Sequence, residues 1–106
     1  MNEPVFIIQT TLPRSWDEFE IGNFSQQLIE SGAACVQYSA INSMYRWKGN
    51  LESSLEWSLE IKVSTSHKDA VLSKIESLHP YEVPQLVHWQ VTSSRAYGEW
   101  IRTSSE

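Results

Sequence analysis

Two long extended runs meet at Lys48-Gly49-Asn50, and this pair constrains the fold more than any other stretch of the chain. In the second run Leu55, Trp57, Leu59, Ile61 and Val63 alternate with Glu56, Ser58, Glu60 and Lys62. A period of two sets these groups on opposite faces of a half-buried strand. In the first run, Ala33 to Trp47, Val36, Tyr38 and Ala40 share one face, while Cys35, Gln37, Ser39 and Ile41 share the other. Lys48-Gly49-Asn50 is a turn signal, so the two runs form a long hairpin. A two-stranded ribbon is not stable alone in water and needs a surface to lie on. At its tip, Tyr45 and Trp47 flank Arg46 in Ser43 to Gly49, which offers a stacking surface and a cation–π partner. Two readings of the tip stand side by side: packing between the two strands, and contact with another subunit.

The remaining elements fall around this hairpin. Pro4 to Thr11 is β-branched, aromatic and short, which predicts a buried first strand broken by Leu12-Pro13-Arg14. Ser15 precedes Glu18 by three residues, the spacing of a capping box, and Ile21, Phe24, Leu28 and Ile29 recur at helical spacing. Trp16 is placed to act as a lid or staple at the start of this helix, and Gly32 to end it. Ser66 and Asp69 repeat the capping spacing ahead of Val71, Leu72, Ile75 and Leu78, and Pro80 stops that second helix. Leu86 to Thr92 reads as a last strand with Val87, Trp89 and Val91 on one face. Ser93-Ser94 is a loop, Tyr97, Trp100 and Ile101 mark a short terminal helix, and the tail to Glu106 is expected to fray. The order β-α-β-β-α-β plus a terminal helix predicts an α+β, ferredoxin-like split βαβ domain with both main helices on one sheet face. It spans residues 1–106 as a single domain, with a core of about 4–102.

Composition narrows the function classes. The chain has 106 residues, 41% of them hydrophobic, and a formal net charge of −5. That length suits one domain with a core of its own, without disulfides. The acidic balance argues against a nucleic-acid partner, whose phosphates call for clustered Lys and Arg. Met1-Asn2-Glu3-Pro4 is no basic leader, and Val5 to Ile8 is far short of the ~20 apolar residues of a membrane span. A single cysteine excludes an intrachain disulfide and suggests a reducing, cytoplasmic setting. No P-loop, dinucleotide glycine pattern or nucleophile elbow is present, and no spaced acid, base and nucleophile stand out.

Leu78-His79-Pro80-Tyr81-Glu82-Val83-Pro84 is the other segment of note. Its two prolines stiffen the backbone beside a helix end. It reads as a helix-terminating connector, or as a ligand or metal site using His79 with Glu82. Cys35, as a lone cysteine, reads as a small buried hydrophobe before it reads as a ligand. His67 falls in the first turn of the second helix, and His88 reads as a solvated strand residue.

Taken together and in order, Ala33-Ala34-Cys35-Val36, Ser43-x-Tyr45-Arg46-Trp47-x-Gly49, Leu59-x-Ile61-Lys62, His79-Pro80-Tyr81-Glu82-Val83-Pro84 and Tyr97-x-x-Trp100 resemble the CutA proteins, the divalent-cation tolerance family. The resemblance covers roughly Val5 to Arg102. It implies a ferredoxin-like homotrimer whose long hairpin reaches across to a neighbour, in an architecture similar to the trimeric nitrogen-regulatory signalling proteins. It implies a non-enzymatic role in copper and divalent-metal homeostasis, with no required cofactor and with Cu2+ or another divalent cation as ligand. Carried over by position, Cys35 and His79 become metal contacts beside Glu82. Tyr45, Arg46, Trp47, Tyr81, Pro84 and Trp100 become residues of an intersubunit cleft.

Two rival functions follow from the same residues. A trimeric small-molecule or anion sensor would use clefts between subunits lined by Arg46, Tyr45, Trp47 and Tyr81. An acylphosphatase-like hydrolase would need Arg14 as its anion-binding residue, and no glycine-rich cradle surrounds it.

Overall fold

The computed structural model describes residues 4–104, so the absence of a leader at Met1 to Glu3 and the expected fraying at Ser105 and Glu106 lie outside the described residues. The first strand, β1, runs Val5–Pro13, and helix α1 runs Glu18–Glu30. Strands β2 (Cys35–Trp47) and β3 (Asn50–Ser64) form the ribbon. Helix α2 (Thr65–Leu78), strand β4 (Leu86–Val91) and helix α3 (Arg95–Thr103) complete the chain. The sheet order is β2-β3-β1-β4, and every neighbouring pair is antiparallel. This is the expected α+β, split βαβ arrangement.

The turn that sets the ribbon is shorter than the tripeptide suggests. Trp47 pairs with Asn50, which leaves Lys48 and Gly49 as a two-residue loop. Both have positive φ, +51° and +83°, the geometry whose twist matches the flanking strands. Beyond the Pro13↔Glu56 pair, β1 no longer accompanies the ribbon, and the hairpin projects alone. The molecule is accordingly 47 Å long against 26 and 21 Å in its other dimensions.

Register divides the side chains as the period of two requires. Ile8, Thr10 and Leu12 of β1 stand with Ile61, Leu59 and Trp57 of β3, and with Val36 and Tyr38 of β2. Helices α1 and α2 cover this face through Ile21, Phe24, Leu28, Val71 and Ile75, which close the core. The other face carries Val5, Ile7 and Gln9 beside Val91, Trp89 and Val87. Among the described residues, α3 and the loop after α2 cover parts of it. Gly98 of α3 sits where an added Cβ would come within 3.8 Å of Val5, and Ile101 is fully buried. Trp89 and Val87 stay open, as do Met44, Leu51 and Leu55 on the ribbon.

Several local details differ from the sequence reading. The first strand continues through Pro13 rather than breaking after Thr11. The first helix is capped by Asp17 with Glu20, not by Ser15 with Glu18. Trp16 N–H donates to Pro13 C=O at 3.0 Å, so a turn absorbs Ser15 and moves the helix start two residues on. Asp17 Oδ1 accepts from Glu20 N–H at 2.8 Å, and Glu20 Oε1 accepts from Asp17 N–H at 3.1 Å. Asp17→Ala is therefore expected to cost about 1 kcal/mol of stability, read by urea denaturation, with Ser15→Ala near neutral. The second helix starts at Thr65 because β3 runs into it without a loop, and Ser64 occupies the N-cap position with no side-chain cap bond. Trp16 does act as a staple: its ring packs edge-on against Phe24 at 5.9 Å, and its carbonyl accepts from Trp57 Nε1–H at 2.9 Å. Gly32 follows α1 with φ +122°, beneath His67, where a Cβ would clash with the imidazole. No helix among the described residues is long and apolar enough to cross a membrane.

Candidate functional site

The two segments singled out by sequence meet in space. The loop after α2 runs along the end of β1 that β4 leaves unpaired, since β4 pairing stops at Thr10↔Leu86. Between this loop and the ribbon lies a groove of about 800 Å³. Tyr45, Trp47, Tyr81 and Pro84 line it, with Glu56 and Thr11 from the sheet. That volume falls in the usual range for a small-molecule site.

His79 pins the loop. Its Nδ1 accepts from Tyr81 N–H at 3.2 Å, which leaves the proton on Nε2. Nε2–H faces Thr11 C=O at 2.8 Å and Thr10 Oγ1 at 3.1 Å. Thr10 Oγ1–H in turn donates to Gln85 C=O at 2.7 Å. Burial pulls the imidazole below its ordinary value and outweighs the opposing pull of the Thr11 carbonyl and of Glu56. The neutral ring is therefore the form that holds the loop.

Glu56 is the residue that sequence reading missed. The alternation placed it on the polar side of β3, yet it is only 7% exposed. Tyr81 Oη–H donates to its Oε2 at 2.7 Å. Burial first, and then this bond to a carboxylate, push the Tyr81 phenol up. No local pattern marks Glu56; the one available signal was its register opposite Ile41, an apolar neighbour on the same face.

The proposed metal contacts are not brought together. Cys35 stands opposite Lys62 on the open sheet face, partly exposed rather than buried as a small hydrophobe, while His79 contacts Thr10 and Thr11. Four residues of strand and two strand spacings separate these places, roughly 13 Å along the sheet and about 10 Å across it. Glu82 is exposed, with a carboxylate oxygen 3.8 Å from Lys48 Nζ. Both nitrogens of His79 are committed, one as acceptor and one as donor. Among the described residues no three His, Cys, Asp or Glu side chains gather to hold an ion. The set Cys35, His79 and Glu82 therefore does not fit a resident divalent cation within one chain.

The cleft residues divide as well. Tyr45, Trp47, Tyr81 and Pro84 line the groove; Arg46 and Trp100 do not. Arg46 alternates with Tyr45 and Trp47 along β2, opposite Leu51. Trp100 lies on α3, stacked on Tyr97 at 5.7 Å, where Tyr97 neighbours Cys35. Arg14, the residue a hydrolase would need, lies over the Trp57 ring at 4.6 Å.

Comparison with known proteins places this arrangement. Residues 6–104 match the family described as CutA1 divalent ion tolerance protein. The chain is similar to the divalent-cation tolerance protein CutA of Yersinia pestis (strain Pestoides F), with 35% identity over 91 residues, 83% of this chain and 76% of that protein. Its fold is similar to CutA from Synechococcus elongatus PCC7942, with a TM-score of 0.88, 30% identity, and coverage of 100% of this chain and 95% of the other. It is also similar to a protein from Nostoc sp. PCC 7120 described as PII-like protein CutA in apo form, with a TM-score of 0.82, 32% identity, and coverage of 95% and 97%.

Proposed function

The chain belongs to the CutA1 family of divalent ion tolerance proteins, and from that premise we propose that it acts in the cytoplasm as a non-enzymatic homotrimer in the response to divalent metal ions, copper foremost. The observation that carries the assembly is the projecting ribbon. Met44 and Leu51 are each 71% exposed on it, and a ribbon of this length needs a neighbouring surface. The open sheet face, with Trp89 and Val87, supplies a second unpartnered apolar area. Size-exclusion chromatography with light scattering should return the mass of three chains, and a stable monomer would overturn the assembly.

Direct copper binding divides by oxidation state. Cu(I) suits the Cys35 thiolate, while Cu(II) would seek imidazole nitrogen. With both His79 nitrogens committed, His79→Ala is expected to leave Cu(II) affinity unchanged, and Cys35→Ser to weaken Cu(I) binding by at least about tenfold. Competition titration against a chelator of known affinity reads both. A tenfold loss of Cu(II) binding in His79→Ala would restore His79 as a ligand.

The size and aromatic lining of the groove favour a second reading. It holds far more than a single ion needs, which supports a signal-transduction role in which a small molecule is sensed at a cleft completed by the neighbouring subunit.

A further inference from the structure

Taking the groove as a ligand site, on the second reading above, the geometry points to an organic ammonium ion as its occupant: a protonated amine or quaternary ammonium on a short apolar body. The floor carries the charge. Glu56 is nearly sealed from solvent, and its one side-chain partner among the described residues is the Tyr81 hydroxyl. A carboxylate offers about four acceptor positions, and here one is filled. Among the described residues Glu56 takes part in no ion pair; Lys48 faces Glu82, Lys62 faces Glu60 and Arg102 faces Glu99 instead. Its second oxygen has no partner among the described residues and is not sealed off, and Glu56 lines the groove. A shielded carboxylate without a counter-charge is costly unless a cation joins it.

The walls suit the same occupant. Tyr45, Trp47 and Tyr81 contribute aromatic rings to the lining, and the negative potential of a ring face attracts an ammonium group. The chain already shows this attraction at the rim, where Lys48 Nζ lies 5.5 Å from the Trp47 ring centroid. Lys48 is 3.8 Å from Glu82, so the rim cation is offset by a rim carboxylate. No arginine lines the groove, which disfavours a carboxylate or phosphate guest. A bare divalent ion is disfavoured too, because it needs a shell of several donors, and of the two carboxylates lining the groove Glu82 already faces Lys48.

Titration calorimetry of the wild-type protein with n-butylammonium chloride, tetramethylammonium chloride, n-butanol and sodium butyrate, at fixed ionic strength, tests this. Both ammonium salts should bind, and butanol and butyrate should bind at least about tenfold more weakly. Glu56→Gln keeps an oxygen for the Tyr81 hydroxyl and removes the charge. It should weaken butylammonium by at least about tenfold and leave butanol unchanged. Where Glu56→Gln fails to fold, Trp47→Ala takes its place and should weaken tetramethylammonium by about threefold or more. Butyrate binding as well as butylammonium would overturn the ammonium assignment and leave the groove standing as a ligand site. No probe binding to a protein of confirmed trimeric mass would overturn both.

Discussion

Trp89→Glu is expected to leave the chain monomeric at concentrations where the wild type forms the trimer proposed above. Trp89 stands on the open sheet face opposite Ile7 of β1, with Val87 and Val91 on the same face of β4, and it remains 42% exposed in the single chain. It stays partly open, unlike Leu59 and Ile61 on the opposite face, which are fully buried under α1 and α2. If the open faces are what the subunits share, association removes this indole from water. A carboxylate there would have to be buried without a partner, at several kcal/mol by the usual scale. Three symmetry-related copies would multiply the penalty and add mutual repulsion. Sedimentation velocity reads the result, and the melting temperature should fall and lose the dependence on protein concentration that an assembly imposes. Phe19→Glu is the control. Phe19 is 82% exposed on α1, away from that face, and its replacement should leave the trimer intact. If Trp89→Glu remains trimeric, the open sheet is not the shared surface, and the ribbon must carry the assembly alone.

His79→Ala should cost about 1–3 kcal/mol and loosen the groove, because it strands the Thr11 carbonyl and the Tyr81 amide at once. Its second signature is in pH. The folded state holds the imidazole below the ordinary 6.5, so the unfolded chain binds a proton more readily than the folded one. Stability therefore rises with pH through this window. The contribution is fully present above about 6.5 and is lost as pH falls through the lower folded value. Protonation also removes the Nδ1 lone pair that accepts from Tyr81, so the loop is the part that opens. Urea denaturation across pH 5 to 8 should show this slope in the wild type, reduced in His79→Ala. Equal slopes would mean that the imidazole does not hold the loop through its neutral form.

The ribbon and the fold class were legible because they depend on short-range alternation. Leu59, Ile61 and Val63 repeat every second residue and are fully buried where β3 pairs with β1. The helix starts were less legible. Ser15 and Glu18 have the right spacing, yet the turn from Pro13 to Trp16 decides where the helix begins, and only backbone geometry reveals it. The site was legible in part. Tyr45, Trp47, Tyr81 and Pro84 do converge, whereas Arg46 points to the opposite face of its strand, Cys35 shares their face but lies ten residues down β2, and Trp100 is on α3 elsewhere on the open sheet. Glu56 was hidden for a different reason. Its burial comes from a loop more than twenty residues away in sequence, and strand periodicity carries no record of what is folded over a strand.

The two-residue turn at Lys48-Gly49 also limits how such a chain can change in length. One residue added to a single arm must bulge out, or it reverses the face of every side chain between it and the next correction. One residue added to each arm keeps the pairing but rotates the tip, carrying Tyr45 and Trp47 away from the groove. Only two residues in each arm extend the ribbon, by roughly 7 Å, with its aromatic side unchanged. The hairpin behaves as a ruler graduated in fours, and insertions that keep both the turn and the groove should accumulate in that increment.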